Sequence, residues 1–327
     1  MPYKLKDPYR HKFNKSQYHL SNWPEYNQAL KSRGNINIWF TQEIIKGWYH
    51  NSGQKKTHGR QKTYSDLAIN TMKLLGTIFN QRLRQTEGFV ESVIKLMDLN
   101  LMVPNYSTLS RRAGNTHIPN LSSMLKESSE PIDIAIDSTG LKVYGAGEWF
   151  TNKHGNKHRS WQKLHLTVDL DSQKIIAVEL TKQDVGDSSV VADLLTQINH
   201  KVNKMVGDKA YDNFWTYDAL SQYNIKSAIP PQNTAILSEN YKQKLTQRDN
   251  TLLDRCELGI YTWQKHSSYN KRSLVEVAMS RYKKIIGNKV HAKLNSNRLS
   301  EIKLSCYILN KMLDLGKPNS FKVNKSA

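Results

Sequence analysis

Three acidic residues stand apart from the other acids of this chain by what surrounds them. Asp137 lies within IDIAIDSTGLKVYG (132–145), among Ile134, Ile136 and Leu141, and Asp208 closes the apolar run of KMVGDKAYD (204–212). Glu276 is the one acid in YNKRSLVEVAMSRYKKIIG (269–287). A carboxylate inside an apolar strand is costly unless it is paired or bound to a cation. Three of them brought together repel one another, and divalent ions relieve that repulsion. Hard oxygen donors favour Mg²⁺ or Mn²⁺ over zinc, and two such ions about 3.5–4 Å apart suit displacement at a phosphodiester. Plainer roles stand beside this one. Asp137 could cap a turn with Ser138 and Thr139, and Asp208 could belong to an ordinary Gly-Asp turn.

The stretch 269–287 reads as an amphipathic helix. At about 100° per residue, with Tyr269 at zero, Arg272, Glu276 and Lys283 project at roughly −60°, −20° and −40°. These four polar residues therefore share one arc, opposite Leu274, Val275, Ala278, Met279, Tyr282, Ile285 and Ile286. Taken alone, the arc is a solvated face on which Glu276 pairs with Arg272 at i, i+4, worth a few tenths of a kcal/mol. Taken with two strand aspartates, Glu276 becomes a third ligand.

The elements that would have to gather these residues follow from hydrophobic period. Residues 132–145, 163–170, 174–182, 204–212 and 226–231 read as strands, the second and third forming a hairpin over Asp171-Ser172-Gln173. Residues 188–200, 213–224 and 303–316 read as helices. A mixed sheet with helices on both faces is expected, with the first and fourth strands adjacent so that Asp137 and Asp208 lie side by side. Upstream, 64–81 reads as a helix capped by Ser65, 86–100 as a second, and 107–112 as a short basic helix capped by Ser107 and ending in Arg111 and Arg112. Two helices, a turn and a basic helix suggest a helix-turn-helix-like DNA module, or else a support for the sheet. Residues 1–35 read as an arm, 51–63 as a basic linker, 232–268 as a polar insertion that wraps the surface, and 317–327 as a frayed tail.

Composition narrows the partners. The 327 residues carry 48 Lys and Arg against 28 Asp and Glu, a net charge of +20. Such an excess predicts attraction to a polyanion, nucleic acid first. No long apolar run and no signal-peptide pattern is present, so no membrane association is expected. Cys256 and Cys306, 50 residues apart, suggest neither a zinc site nor a disulfide framework and fit a reducing cytoplasm. KHGNKHRSWQK (153–163) puts His154, His158 and Trp161 among cations, read as an exposed loop or a DNA-backbone contact rather than a zinc site. Trp263 in the insertion is read as core, with stacking on an extruded base as the other option.

These motifs together resemble the DDE-class transposases of bacterial insertion sequences. Tyr269, Arg272, Glu276 and Lys283 match the signature Y-x2-R-x3-E-x6-K of that class without a gap. IDSTGLKVYGAGEW and GDKAYD look like its two aspartate blocks, with Asp212 the rival of Asp208 for the second position. NWPEYNQALKSRGNINIWF (22–40), TYSDLAI (63–69), RQTEGF (84–89) and PNYSTLSRR (104–112) are similar to the N-terminal region of the IS-five group. The resemblance spans about residues 20–315. It implies an α/β, RNase H-like catalytic domain over 130–316 with an insertion at about 232–268. Before it would come a basic arm and linker (1–63) and a helical DNA-binding region (64–125), and after it a flexible tail (317–327). It further implies two Mg²⁺ ions, replaceable by Mn²⁺, held by Asp137, Asp208 and Glu276. Tyr269, Arg272, Lys283, Arg111 and Arg112 would contact double-stranded DNA at the element ends or target. The expected assembly is a homodimer on DNA in the bacterial cytoplasm, associated with the nucleoid. A transposase-derived repressor that no longer cuts, or a structure-specific nuclease of the same fold, are the other readings.

Overall fold

The protein is described by a computed structural model covering residues 17–50, 62–128, 130–143 and 161–323. The chain forms two compact units, one of residues 1–38 with 312–327 and one of residues 39–311. In the smaller, strand β1 (Gln17–Leu20) pairs antiparallel with β8 (Ser320–Val323), and helix α1 (Trp23–Ser32) follows β1. The expected arm and frayed tail thus pair with each other here. The main-chain hydrogen bonds of β1 are supplied from about 300 residues away, which no local pattern announces.

In the larger unit, short helices α2 (Ile36–Trp39, at the division between the units) and α3 (Gln42–Lys46) lead to α4 (Asp66–Ile78), α5 (Leu83–Leu96) and α6 (Tyr106–Arg112). Ser65 caps α4 as expected, its hydroxyl accepting from the Ala68 amide at 3.0 Å. Asn105, not Ser107, caps α6: its side chain accepts from the Ser107 amide at 2.9 Å, and Glu87 on α5 takes the Tyr106 amide at 2.7 Å. The three helices pack on one another, but residues 97–105 separate α5 from α6, longer than a tight helix-turn-helix turn. Residues 98–103 serve the core instead: fully buried Trp48 donates to the Met102 carbonyl and Tyr64 to that of Val103.

The sheet follows. Strands β2 (Ile132–Val143), β3 (Trp161–Asp169), β4 (Ile175–Lys182), β5 (Val202–Val206) and β6 (Lys226–Ala228) lie in the order β4-β3-β2-β5-β6. The first three are antiparallel, β5 and β6 run parallel to β2, and the short β7 (Lys289–Val290) pairs with the far end of β2. This is the RNase H-like order, and the adjacency of the first and fourth strands is as the sequence led us to expect. Helices α7 (Val191–Leu195) and α8 (Phe214–Gln222) cover one face of the sheet, over Ile134, Ile136, Ile176 and Met205. Helix α11 (Ser273–Ile285) lies over β2 and β3 on the opposite face with Val275, Ala278, Met279 and Tyr282 buried. Alternation along β2 divides its residues accordingly: Ile134, Ile136 and Ser138 face α7, while Asp137 and Thr139 face α11.

Four further expectations need correction. The insertion does not merely wrap the surface; it holds α9 (Gln247–Leu258) and α10 (Ile260–His266), the former opened by a capping box in which Thr246 and Asp249 bond each other's backbone amides. The helix expected over 188–200 is a 3₁₀ turn (Asp187–Val190) plus the single turn and a half of α7. Just beyond it, the Gln197 side chain accepts from the Val178 amide at 3.2 Å. The strand expected to reach 212 ends at Val206, where Asp208 begins a 3₁₀ turn (Lys209–Tyr211). The last helix, α12 (Asn295–Leu315), begins earlier than its apolar run.

Candidate active site

Asp137 sits at the middle of β2, where the strand still pairs with β3 but has left β5 behind. Its Oδ1 accepts from the Ser138 amide at 2.8 Å, and its Oδ2 accepts from Arg272 Nη1 at 3.1 Å. Burial pushes the Asp137 carboxyl up to about 6; the Ser138 amide and the Arg272 cation pull it down, and the Asp208 and Glu276 charges push it up again. Both other candidate carboxylates thus act on Asp137.

Asp208 is placed by the end of β5. Gly207 is buried with the Tyr211 ring against it, so a Cβ there would lie 3.2 Å from the ring. Asp208 then caps the 3₁₀ turn, its Oδ1 accepting from the Ala210 amide at 2.8 Å. The turn-capping role is real, and it uses one oxygen; among the described residues the other accepts no hydrogen bond. Asp212, the rival, is held differently. Its side chain is fully buried and accepts from Arg248 Nε (2.9 Å), the Tyr217 hydroxyl (3.0 Å) and the Gln232 amide (2.7 Å). It ties α8 to the insertion.

Glu276 lies in the first turn of α11, about half exposed. Tyr269 and Arg272 belong to a 3₁₀ turn (Tyr269–Arg272) that precedes the helix, so the motif face is built from two kinds of helix rather than one. The i, i+4 pair of Arg272 Nη2 with Glu276 Oε1 is present, but the same guanidinium reaches across to Asp137 with its other terminal nitrogen. Tyr269 stacks obliquely on the buried Trp263 ring, with centroids 5.5 Å apart. Trp263 is therefore core, as read. Lys283 donates to Thr139 Oγ1 at 2.6 Å, a second link between α11 and β2.

A further acid was missed. Asp187, at the start of its 3₁₀ turn, accepts from Ser138 Oγ (3.0 Å) and Lys163 Nζ (2.9 Å) on the opposite face of the sheet from α11. Lys163 also donates to the Val185 carbonyl. The same neighbourhood buries His165, whose Nε2 lies 2.8 Å from Thr181 Oγ1 and whose pKa burial lowers to about 4. Only the register that opposes Gly140 to Lys163 and Ser138 to His165 brings these residues together.

Arg111 and Arg112 part company. Arg111 is exposed at the end of α6, with only a long contact to Ser107 among the described residues. Arg112 is folded inward, donating to the Tyr64 carbonyl at 2.7 Å and pairing with Asp66. His154 and His158 lie outside the described residues; Trp161 opens β3, its ring over Gly140 and 5.3 Å from Lys142 Nζ.

Among the described residues no three His, Cys, Asp or Glu side chains converge closely enough to hold a metal ion as they stand. The donor set is nonetheless all carboxylate, and Asp137 bears the crowding of like charges that a hard divalent cation relieves. Asp137, Asp208 and Glu276 are oxygen donors of the kind such an ion takes, and the cation now beside two of them is Arg272. Among the described residues, no helix is long and apolar enough to cross a membrane.

A family model described as a transposase DDE domain matches residues 128–309, more than half of the chain, and a second of the same description matches residues 31–146. Similar solved structures include a piggyBac transposase synaptic complex with hairpin DNA, 11% identical over 90% of this chain and 76% of that one, with a TM-score of 0.40. A Mos1 transposase paired-end complex with the left transposon end is 15% identical over 81% and 82% of the two chains, TM-score 0.22. A Mos1 mariner paired-end complex with Mn is 14% identical over 89% and 92%, TM-score 0.21. With both aspartate blocks and the glutamate helix inside the matched residues, the chain belongs to the DDE transposases, metal-dependent enzymes that cut and join DNA.

Proposed function

We propose that this transposase serves an insertion sequence: it binds the terminal inverted repeats, cleaves at the element's ends and joins the 3′-hydroxyls to target DNA. Asp137, Asp208 and Glu276 are its metal-ligating triad. The observation that carries this reading is that Asp137 from the sheet and Glu276 from α11 share one guanidinium, while Asp208 stands near enough to shift the Asp137 carboxyl. Asp208 is preferred to Asp212, whose two oxygens are occupied by Arg248, Tyr217 and Gln232. Two Mg²⁺ ions, or Mn²⁺ in their place, would activate a water or 3′-hydroxyl and stabilise the leaving oxygen.

The chain's own groups do the rest. Lys283, exposed beside Thr139, and Tyr269 are placed to steer a backbone phosphate toward the carboxylates. Arg111 offers an exposed cation on the upstream helices. The homodimer that holds two ends together, and a bacterial, nucleoid-associated location, belong to this proposal.

The test uses a labelled inverted-repeat end with Mg²⁺. Nicks and strand-transfer products are expected, and Glu276→Gln should abolish both while retaining the gel shift. Retained cleavage would remove Glu276 from the triad. A wild-type protein that shifts the end yet never cuts it would support a repressor derived from a transposase.

A further inference from the structure

Arg272 is placed oddly for a residue whose role is to hold DNA. One terminal nitrogen donates to Asp137 Oδ2 at 3.1 Å and the other to Glu276 Oε1, so a single side chain spans carboxylates of two elements. A pairing with Glu276 alone would be the ordinary, weak i, i+4 contact of an exposed helix. The arm to Asp137 changes its character. Asp137 is mostly buried, its side chain 17% exposed and that of Arg272 22%, so this half of the bridge is poorly screened. The planar fork also fits two carboxylates at once, which an ammonium cannot. The guanidinium therefore stands where Asp137 and Glu276 would otherwise have to repel each other or close on a cation.

We infer that Arg272 is the built-in counter-ion of the metal-free centre, and that it must leave Asp137 and Glu276 for a divalent cation to be held, which frees its fork for a DNA phosphate. The inference rests on the triad reading above and adds regulation to it. Metal loading and phosphate capture are coupled through one side chain, because both draw on the state in which the bridge is broken. Before loading, the bridge weakens metal affinity and withholds a phosphate ligand.

The test is direct Mn²⁺ binding to the full chain without DNA, read as free Mn²⁺ by electron paramagnetic resonance. Arg272→Lys keeps the positive charge but cannot span both carboxylates, so it should bind Mn²⁺ about five- to tenfold more tightly than wild type. Equal or weaker binding would overturn the inference. Arg272→Gln is read in the same way should the lysine variant not fold. In the wild type, the Arg272 Nε–H resonance should move during a Mg²⁺ titration with the midpoint of metal binding, and a resonance unmoved at saturation would overturn it too. The triad reading fails separately: Asp137→Asn and Glu276→Gln should lose Mn²⁺. If they bind it like wild type, the site itself is wrong, whereas if they lose it and Arg272→Lys gains nothing, only the counter-ion role falls.

Discussion

At the scale of single residues, partner geometry separates cations that look alike in sequence. Arg111 and Arg112 adjoin on one basic helix end, and nothing in SRR distinguishes them. In the fold, Arg112 closes the entry to α4 through Asp66 and the Tyr64 carbonyl, its side chain only 16% exposed. Removing it strands a backbone acceptor and a carboxylate that is itself one-third exposed, so the loss is moderate. Arg112→Ala should lower unfolding free energy by about 1–2 kcal/mol in urea melts. It should leave the salt dependence of DNA binding as it was. Unchanged stability with weakened binding would place Arg112 on DNA instead. The same distinction applies to the acids, for Asp208 and Asp212 stand in one motif, and only the buried cage around Asp212 marks it as structural.

At the scale of elements, the sequence disclosed what depends on local period and hid what depends on register. The strand that carries Asp137, the strand that leads into Asp208 and the helix that carries Glu276 were legible because burial on one face imposes alternation or a 3.6-residue stripe. The order β3-β2-β5 followed from strand order alone. The Asp187–Lys163–Ser138 network was not legible, because its members are neighbours only through the pairing of β2 with β3. Helices α9 and α10 were missed for another reason: α9 buries only Asp249 and Thr251 and α10 only Trp263, so an apolar stripe is absent. Thr246 and Asp249, spaced as a capping box, were the available signal. The crossing of α4 and α5 gives a prediction at this scale. A Cβ on Gly76 would fall 2.5 Å from Thr86 Oγ1, and Thr86 is buried, β-branched and bonded to the Arg82 carbonyl, so it cannot turn away. Gly76→Ala should therefore destabilise by about 1–2 kcal/mol, overpacking exceeding the gain in helix propensity of about 1 kcal/mol. In the background of Thr86→Ala the same change should cost much less, and strictly additive losses in thermal melts would mean the close approach is not the cause.

At the scale of the whole molecule, a net charge of +20 sets how the protein meets DNA, and the fold limits how much of that charge is free to act. Arg112, Arg248 and Lys163 are all committed to internal carboxylates, and Arg272 is committed until its bridge opens. The remaining surface cations displace counterions from the phosphate backbone, so affinity should fall with salt in proportion to the phosphates neutralised. For a contact of six to ten phosphates, the plot of log affinity against log salt should slope by about −5 to −9. Arg111→Ala should reduce the magnitude of that slope by about one, on element ends and on unrelated duplex alike, because a phosphate contact carries no sequence information. Fluorescence anisotropy with both duplexes across 50–200 mM KCl, in EDTA so that cleavage cannot intervene, measures these slopes. A drop confined to the element end would mean that Arg111 reads bases, and a slope near zero would mean that the excess charge serves something other than DNA.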